Sequence, residues 1–188
     1  MSKHPKFELE RAQELAAVIY ELLAPAAERL EIAGSVARRA PQVSDIEFVM
    51  VPKLDIWWAP VINSHIHIVA RKMGWQVLQD GPKAKRLEID GWAQLDLFVT
   101  TREQWGVIKT LRTGPAELSK ALVTPKQQGG LLPSHLRVKD GRLWAGDEAL
   151  PTPEERDFFE QLSLAYLPPH KRDVLLSRLG SNLSDGGK

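Results

Sequence analysis

Two short stretches of this chain put acids where a buried strand is expected, and they narrow its fold more than anything else in the sequence. "DIEFVMVP" (45–52) alternates Ile46, Phe48 and Met50 with Asp45, Glu47 and Val49, and Pro52 closes the run. That period of two predicts a β-strand. Residues two apart on a strand share a face, so Asp45 and Glu47 should stand together beside an apolar core. "QLDLFV" repeats the arrangement with Asp96. Carboxylates at such an edge, without a counter-charge, cost several kcal/mol or become protonated. One such acid is explained by an exposed strand position, but three together point to a bound cation. Oxygen donors suit Mg²⁺ or Mn²⁺. Two such ions about 3.5–4 Å apart can activate an attacking hydroxyl and stabilise a leaving oxygen, as in phosphoryl or nucleotidyl transfer.

The surrounding chain predicts a mixed sheet. Leu9, Ala12, Leu15, Ala16, Ile19, Leu22 and Leu23 fall at helical spacing, and Pro25 should end that helix. "LEIAG" reads as a strand, and "APVINSHIHIVARKMG" as a helix ending at Gly74. "WQVLQ", "KRLEIDG" and "AQLDLFVTT" read as strands, and "TREQWGVIKTLRTGP" and "AELSKALVT" as helices. A Pro/Gly-rich loop, "PKQQGGLLPS", precedes a hairpin, "HLRVKDGRLWAG", and a helix with Thr152 as N-cap and Pro153 at its first position. "AYLPPHKR" should be extended and the tail "GSNLSDGGK" flexible. The expected class is α/β (α+β): about five strands flanked by helices, then a small α+β appendage.

Composition removes several function classes. With 188 residues the chain allows one large domain or two small ones, and 43% hydrophobic with 26% charged residues allows an ordinary core. The net charge of +1 is not that of a passive nucleic-acid coat, so any such surface must be local. There is no cysteine, hence no disulfide and no thiolate metal site. No apolar run approaches a membrane span, and "MSKHPKFELE" lacks the apolar segment of a signal peptide. The expectation is a cytoplasmic, monomeric protein with no membrane partner.

Upstream of the acids lies Gly34-Ser35, eleven positions before Asp45. Gly34 permits close backbone approach and Ser35 can hydrogen-bond a phosphate oxygen. A helix starting there would aim its N-terminus at an anion. Arg38, about one turn further on, could neutralise a departing pyrophosphate. Basic residues gather as "GPKAKR" (Lys83, Lys85, Arg86), "RVKDGR" (Arg137, Lys139, Arg142) and "PPHKR" (Lys171, Arg172). They read either as soluble hairpin tips or as contacts to a nucleic-acid backbone, with weak and salt-dependent binding. His65 and His67 would point about 200° apart on a helix and could not share one ion. Trp57-Trp58 read as an apolar cap on the core rather than a base-stacking platform. Trp105 and Trp144 read as core residues.

"GS", then Asp45-x-Glu47, resembles the signature of the polymerase-beta-like nucleotidyltransferases, a large superfamily that also includes poly(A) and CCA-adding enzymes and antitoxin-type transferases. "GSVARRAPQVSDIE" leans toward the last group. "LDLFVTTREQWGVIKTLRTGPAELSKAL" resembles the part of family X DNA polymerases running from the third carboxylate through "EQ(F/W)G" to "TGS". The segment ending "LAYLPPHKR" resembles their C-terminal subdomain. The resemblance spans about residues 8–172.

That resemblance implies a nucleotidyltransferase palm at 1–112, a nucleotide- and template-binding subdomain at 113–175 and a flexible tail at 176–188. It implies a minimal version, similar to small viral and phage-borne polymerases, without the upstream lyase domain. Asp45, Glu47 and Asp96 would be metal ligands for two Mg²⁺ ions, with Mn²⁺ able to substitute, and Asp96 would lie nearest the primer 3′-hydroxyl. Gly34, Ser35, Arg38 and Ser44 would line the triphosphate site, and Gly114, Leu111 and Arg112 would face the sugar. Lys120, with Lys83, Lys85 and Arg137, would contact nucleic acid. The expected partners are a DNA primer-template or gapped DNA and a dNTP. Leu111-Arg112 stands where DNA-selective members carry an aromatic pair, so an NTP is also plausible. Pro115, Ala37, Ser44, Gln94 and Val123 depart from the family's usual serine, arginine, glycine, arginine and arginine, which implies loose binding and low fidelity. The expected activity is low-fidelity gap-filling or repair synthesis. The alternatives are a template-independent nucleotidyltransferase and an inactive DNA-end-binding module.

Overall fold

The computed structural model of the chain describes residues 5–173, so the tail expected at 176–188 lies outside the described residues. The chain divides into two compact units between Arg102 and Glu103. The boundary expected at residue 112 falls inside the first helix of the second unit.

The first unit runs β1 (Phe7–Glu8), α1 (Leu9–Leu23), β2 (Ala27–Ile32), α2 (Gly34–Ala37), β3 (Gln42–Val43), β4 (Ile46–Pro52), α3 (Ile62–Met73), β5 (Gln76–Asp80), β6 (Ala84–Ile89) and β7 (Ala93–Val99). Five strands form one mixed sheet in the order β2-β4-β7-β6-β5. β4 and β7 are parallel, and the other pairs are antiparallel. β1 and β3 form a separate two-residue ladder not expected from the sequence. α1 stops where Pro25 cannot extend it, and α3 ends on Gly74, whose φ of 73° is the left-handed cap that glycine favours.

Alternation makes this sheet two-faced. Ile46, Phe48 and Met50 of β4, Leu95 and Leu97 of β7, and Leu87 and Ile89 of β6 share one core with Ala12, Ala16 and Ile19 of α1 and Ile62, Ile66 and Val69 of α3. The intervening residues face the other way: Glu31, Glu47, Asp96, Arg86 and Glu88. The helices therefore cover one face and leave the acids on the other. Lys85 has the parity of Leu87 and Ile89, and that puts it on the helix side.

The second unit contains α4 (Trp105–Thr113), α5 (Ala116–Val123), β8 (Leu136–Lys139), β9 (Arg142–Ala145), β10 (Glu148–Leu150) and α6 (Glu155–Gln161). The expected hairpin turns at Asp140-Gly141, both with positive φ, the type I′ geometry that Asp-Gly favours. β10 makes it a three-stranded sheet. Val107, Leu118, Leu122, Leu136, Leu143, Phe158 and Phe159 form its core. The last helix starts later than expected. Thr152 offers its carbonyl to the Gly106 N–H at 2.9 Å, and Glu154 instead caps α6 in a reciprocal box with Asp157. "AYLPPHKR" is only partly extended, since Pro169–Lys171 turns as a short 3₁₀ helix.

Candidate active site

Strand register brings the three acids together. Glu47 on β4 pairs with Asp96 on parallel β7. Asp96 in turn pairs with Arg86 on β6. Cross-strand partners point to the same face about 5 Å apart, so Glu47, Asp96 and Arg86 form a row across three adjacent strands of the sheet. Asp45 precedes β4 by one residue and shares the parity of Glu47.

Arg86 is one residue that sequence reasoning misplaced. Read either as a soluble hairpin tip or as a contact to a nucleic-acid backbone, it instead grips Asp96 with both arms of its fork. Nε donates to Oδ1 at 2.6 Å and Nη2 to Oδ2 at 2.9 Å. Gln94 donates a third hydrogen bond to Oδ1 at 3.1 Å. Only the pairing of β6 with β7 reveals this. The one sequence signal was parity, which sets Arg86 opposite to Leu87.

The Gly34-Ser35 turn closes on the row from the other side. Gly34 has φ +60°, and a Cβ there would lie 1.7 Å from Glu47 Oε2. The glycine is thus required twice, for its left-handed backbone and for the space the carboxylate fills. The Ala33 N–H, donating to the Glu47 carbonyl at 2.8 Å, fixes the approach. Ser35 Oγ is buried and has no hydrogen-bond partner among the described residues. Such orphans are rare in native proteins and ask for an explanation. α2 is a single turn of four residues, shorter than the helix envisaged for binding an anion at its N-terminus. Arg38 sits at its C-cap.

Electrostatics fits a cation at this face. Burial pushes the Asp45 carboxyl above its ordinary value. The Ser44 hydroxyl, donating to Asp45 Oδ1 at 3.1 Å, opposes this, Asp96 adds to it, and Arg86 and Arg38 oppose it. Ionising Asp45 therefore costs more here than in water, chiefly because burial desolvates it. All donors are carboxylate oxygens, as a hard divalent ion prefers. Among the described residues no three His, Cys, Asp or Glu side chains are grouped tightly enough to hold a metal ion as they stand; both oxygens of Asp96 are engaged by Arg86. The residues fit a divalent cation provided that Asp96 loosens that grip.

The remaining predicted residues are dispersed. Lys83 is exposed at the β5–β6 turn. Lys85 is only 2% exposed and is ion-paired with Asp80, so its charge is not offered to a phosphate. Asp80 is held below its ordinary value by hydrogen bonds from Lys85 and His67. His65 bonds the Leu22 carbonyl at 2.7 Å and His67 bonds Asp80 at 2.8 Å, so the two diverge. In the second unit Leu111 packs on the core, Arg112 and Lys120 are exposed, and Gly114 has φ 70° before a cis peptide to Pro115. Arg137 is exposed, 3.2 Å from Asp147. Arg172 is fully buried, contrary to its reading as a basic tip.

Trp57 and Trp58 are 81% and 82% exposed and do not cap the core. Asp55 Oδ1 accepts the Trp57 and Ala59 N–H groups at 2.8 and 3.0 Å. That closes a tight turn which holds both side chains outward. Trp105 is core, but Trp144 is half-buried, its Nε1 donating to the Lys139 carbonyl at 3.1 Å.

No protein-family model matches the chain, and a search of the curated proteins returns no match. Among the described residues no helix is long and apolar enough to cross a membrane.

Proposed function

We propose that the chain is a two-metal nucleotidyltransferase acting as a minimal family X-like DNA polymerase, with the first unit as its palm. A primer 3′-hydroxyl attacks the α-phosphate of a nucleoside triphosphate. The new P–O bond forms as the bond to the β-phosphate oxygen breaks, pyrophosphate leaves, and the hydroxyl proton is lost to solvent. Two Mg²⁺ ions (or Mn²⁺), when bound, supply Lewis-acid stabilisation of the attacking and leaving oxygens. The protein's part is positioning and charge neutralisation. Asp45 and Glu47 would hold both ions, and Asp96 would hold one of them. Ser35 Oγ donates to a phosphate oxygen, which would satisfy its buried hydroxyl, and Arg38 balances charge on the departing pyrophosphate. Lys83, exposed on the same unit, would meet the nucleic acid. A cytoplasmic monomer acting on primer-template or gapped DNA is the simplest setting.

The observation that supports this most is the in-register pair Glu47–Asp96, with Asp45 beside it and Gly34 pressed against the Glu47 carboxylate. An exposed strand acid needs no glycine shaped to its carboxylate. The test is incorporation of each dNTP and NTP, with Mg²⁺ or Mn²⁺, on a labelled single strand, a primer-template and a gapped duplex. Template-matched extension that Asp96→Asn abolishes is the expected result. Extension of single strands regardless of template would convert the reading to a template-independent transferase. No incorporation on any substrate, with Asp96→Asn binding DNA ends as wild type does, would leave a binding module.

A further inference from the structure

Arg86 does what a cation would do for Asp96. Its guanidinium supplies two parallel hydrogen bonds at 2.6 and 2.9 Å, the bidentate geometry that holds a carboxylate most firmly. A carboxylate oxygen has about two in-plane acceptor positions. Asp96 Oδ1 has both filled, by Arg86 Nε and Gln94 Nε2, while Oδ2 has one filled, by Arg86 Nη2. While Arg86 stays, a divalent ion finds one open position, on Oδ2; it gains the rest of the carboxylate by displacing Arg86. The two partners differ in how freely they can move. The Asp96 side chain is 10% exposed and fixed in the middle of the sheet, whereas that of Arg86 is 44% exposed and can swing into solvent.

We infer that Arg86 is a latch on the third carboxylate: it holds Asp96 until a divalent cation replaces it, so that cation binding and release of the Arg86 guanidinium are one coupled exchange. This rests on the cation site proposed above at Asp45, Glu47 and Asp96. Charge makes the exchange selective. A monovalent ion would replace one positive charge with one and lose two hydrogen bonds; a divalent ion brings an additional charge to a face where Asp45 and Glu47 also lie. The exchange leaves a solvent-facing guanidinium beside the site, suited to a phosphate oxygen of an incoming chain or nucleotide. Arg86 is in this reading a positioning residue, acting through Asp96.

The decisive measurement is Mn²⁺ affinity without nucleotide or DNA, read by the loss of the free-ion electron paramagnetic resonance signal. Arg86→Gln should bind Mn²⁺ roughly tenfold more tightly than wild type, as expected if the latch keeps the competent state to about a tenth of the population. Arg86→Lys keeps the charge and loses the fork, and should fall between the two. Both variants are checked for a wild-type circular dichroism spectrum. Asp45→Asn in the wild-type and Arg86→Gln backgrounds should weaken Mn²⁺ binding in each. Wild type and Arg86→Gln binding equally, Arg86→Gln binding more weakly, or Arg86→Lys matching wild type would each overturn the latch and leave the cation site standing. Failure of wild type and Arg86→Gln alike to bind Mn²⁺, or indifference to Asp45→Asn, would overturn the cation site itself and the latch with it. Should Arg86→Gln lose the native spectrum, Arg86→Lys decides: it should bind Mn²⁺ more tightly than wild type, and unchanged or weaker binding would overturn the latch.

Discussion

Two arginine–carboxylate pairs in this molecule use the same chemistry and differ in burial. Arg172 in the second unit is completely buried. It donates to Glu155 at 2.8 Å and to the Leu167 carbonyl at 2.9 Å, and its guanidinium lies 5.4 Å from the centre of the Phe159 ring. Arg86 in the first unit spends its fork on Asp96 alone, with its side chain 44% exposed. Arg172 has no route to water without opening the core, so its partners are fixed for the life of the fold. Arg86 can leave without disturbing the sheet. A buried fork with backbone acceptors belongs to the structure, while a half-exposed fork on an acid beside two others is available for exchange.

The difference is best attacked from its larger side. Arg172→Ala leaves the mostly buried Glu155 without its partner and should cost about 3–5 kcal/mol, the usual penalty for breaking one side of a buried pair. Urea unfolding should show the loss in the second unit. A loss below about 1 kcal/mol would mean that Arg172 is no more committed than an exposed pair, and the contrast with Arg86 would collapse.

Gly34→Ala comes next. Its Cβ would meet Glu47 Oε2 at 1.7 Å, and its φ of +60° is unfavourable for alanine. A cost of about 1–3 kcal/mol is expected by thermal melting, with weaker Mn²⁺ binding because Glu47 must move. Wild-type stability with wild-type Mn²⁺ affinity would show that the close approach of glycine and carboxylate has no function.

Smaller effects follow from charge. The Asp45 carboxyl is raised above the ordinary 3.8 in the folded protein. Between that value and its native one the folded state holds more proton than the unfolded state. Stability should therefore decline as pH rises through this window. Asp45→Asn should flatten the decline and raise the melting temperature at neutral pH in chelator. Added Mg²⁺ should stabilise wild type more than the variant. A steeper decline in Asp45→Asn would show that this carboxyl is not the strained one.

The smallest effect belongs to the exposed turn. Trp57→Ser and Trp58→Ser should each change stability by less than about 0.5 kcal/mol, because neither indole is packed. A larger loss on melting would restore these residues to the core.

Much of this could be read from local pattern. Helices at 9–23 and 62–73, the strands bearing Glu47 and Asp96 with Asp45 just before the first, and the Asp-Gly turns follow from periods of 3.6 and 2 and from turn chemistry, all short-range properties of neighbouring residues. The acid trio was legible for the same reason: an acid among alternating apolar residues stands out without any knowledge of its neighbours in space. Parity would also have set Lys85 on the core side with Leu87 and Ile89, had it been applied to the basic cluster. β10 and the two-residue β1–β3 ladder escaped because segments so short carry no period.

What local pattern leaves open is which residues meet. Which strand lies beside β7, and in what register, depends on long-range pairing, and that pairing alone converts Arg86 from a charged hairpin tip into the partner of Asp96. The same holds for Arg172, basic and terminal in the sequence but enclosed once α4, α6 and the closing segment pack around it. It holds also for Trp57 and Trp58, whose exposure is set by a turn closed on Asp55 and not by their hydrophobicity. The sequence alone determined the elements and the chemical character of the candidate site. Tertiary structure decided which charges are paired and which of those pairs can open, because partners distant in sequence are brought together by strand register and their mobility is set by burial.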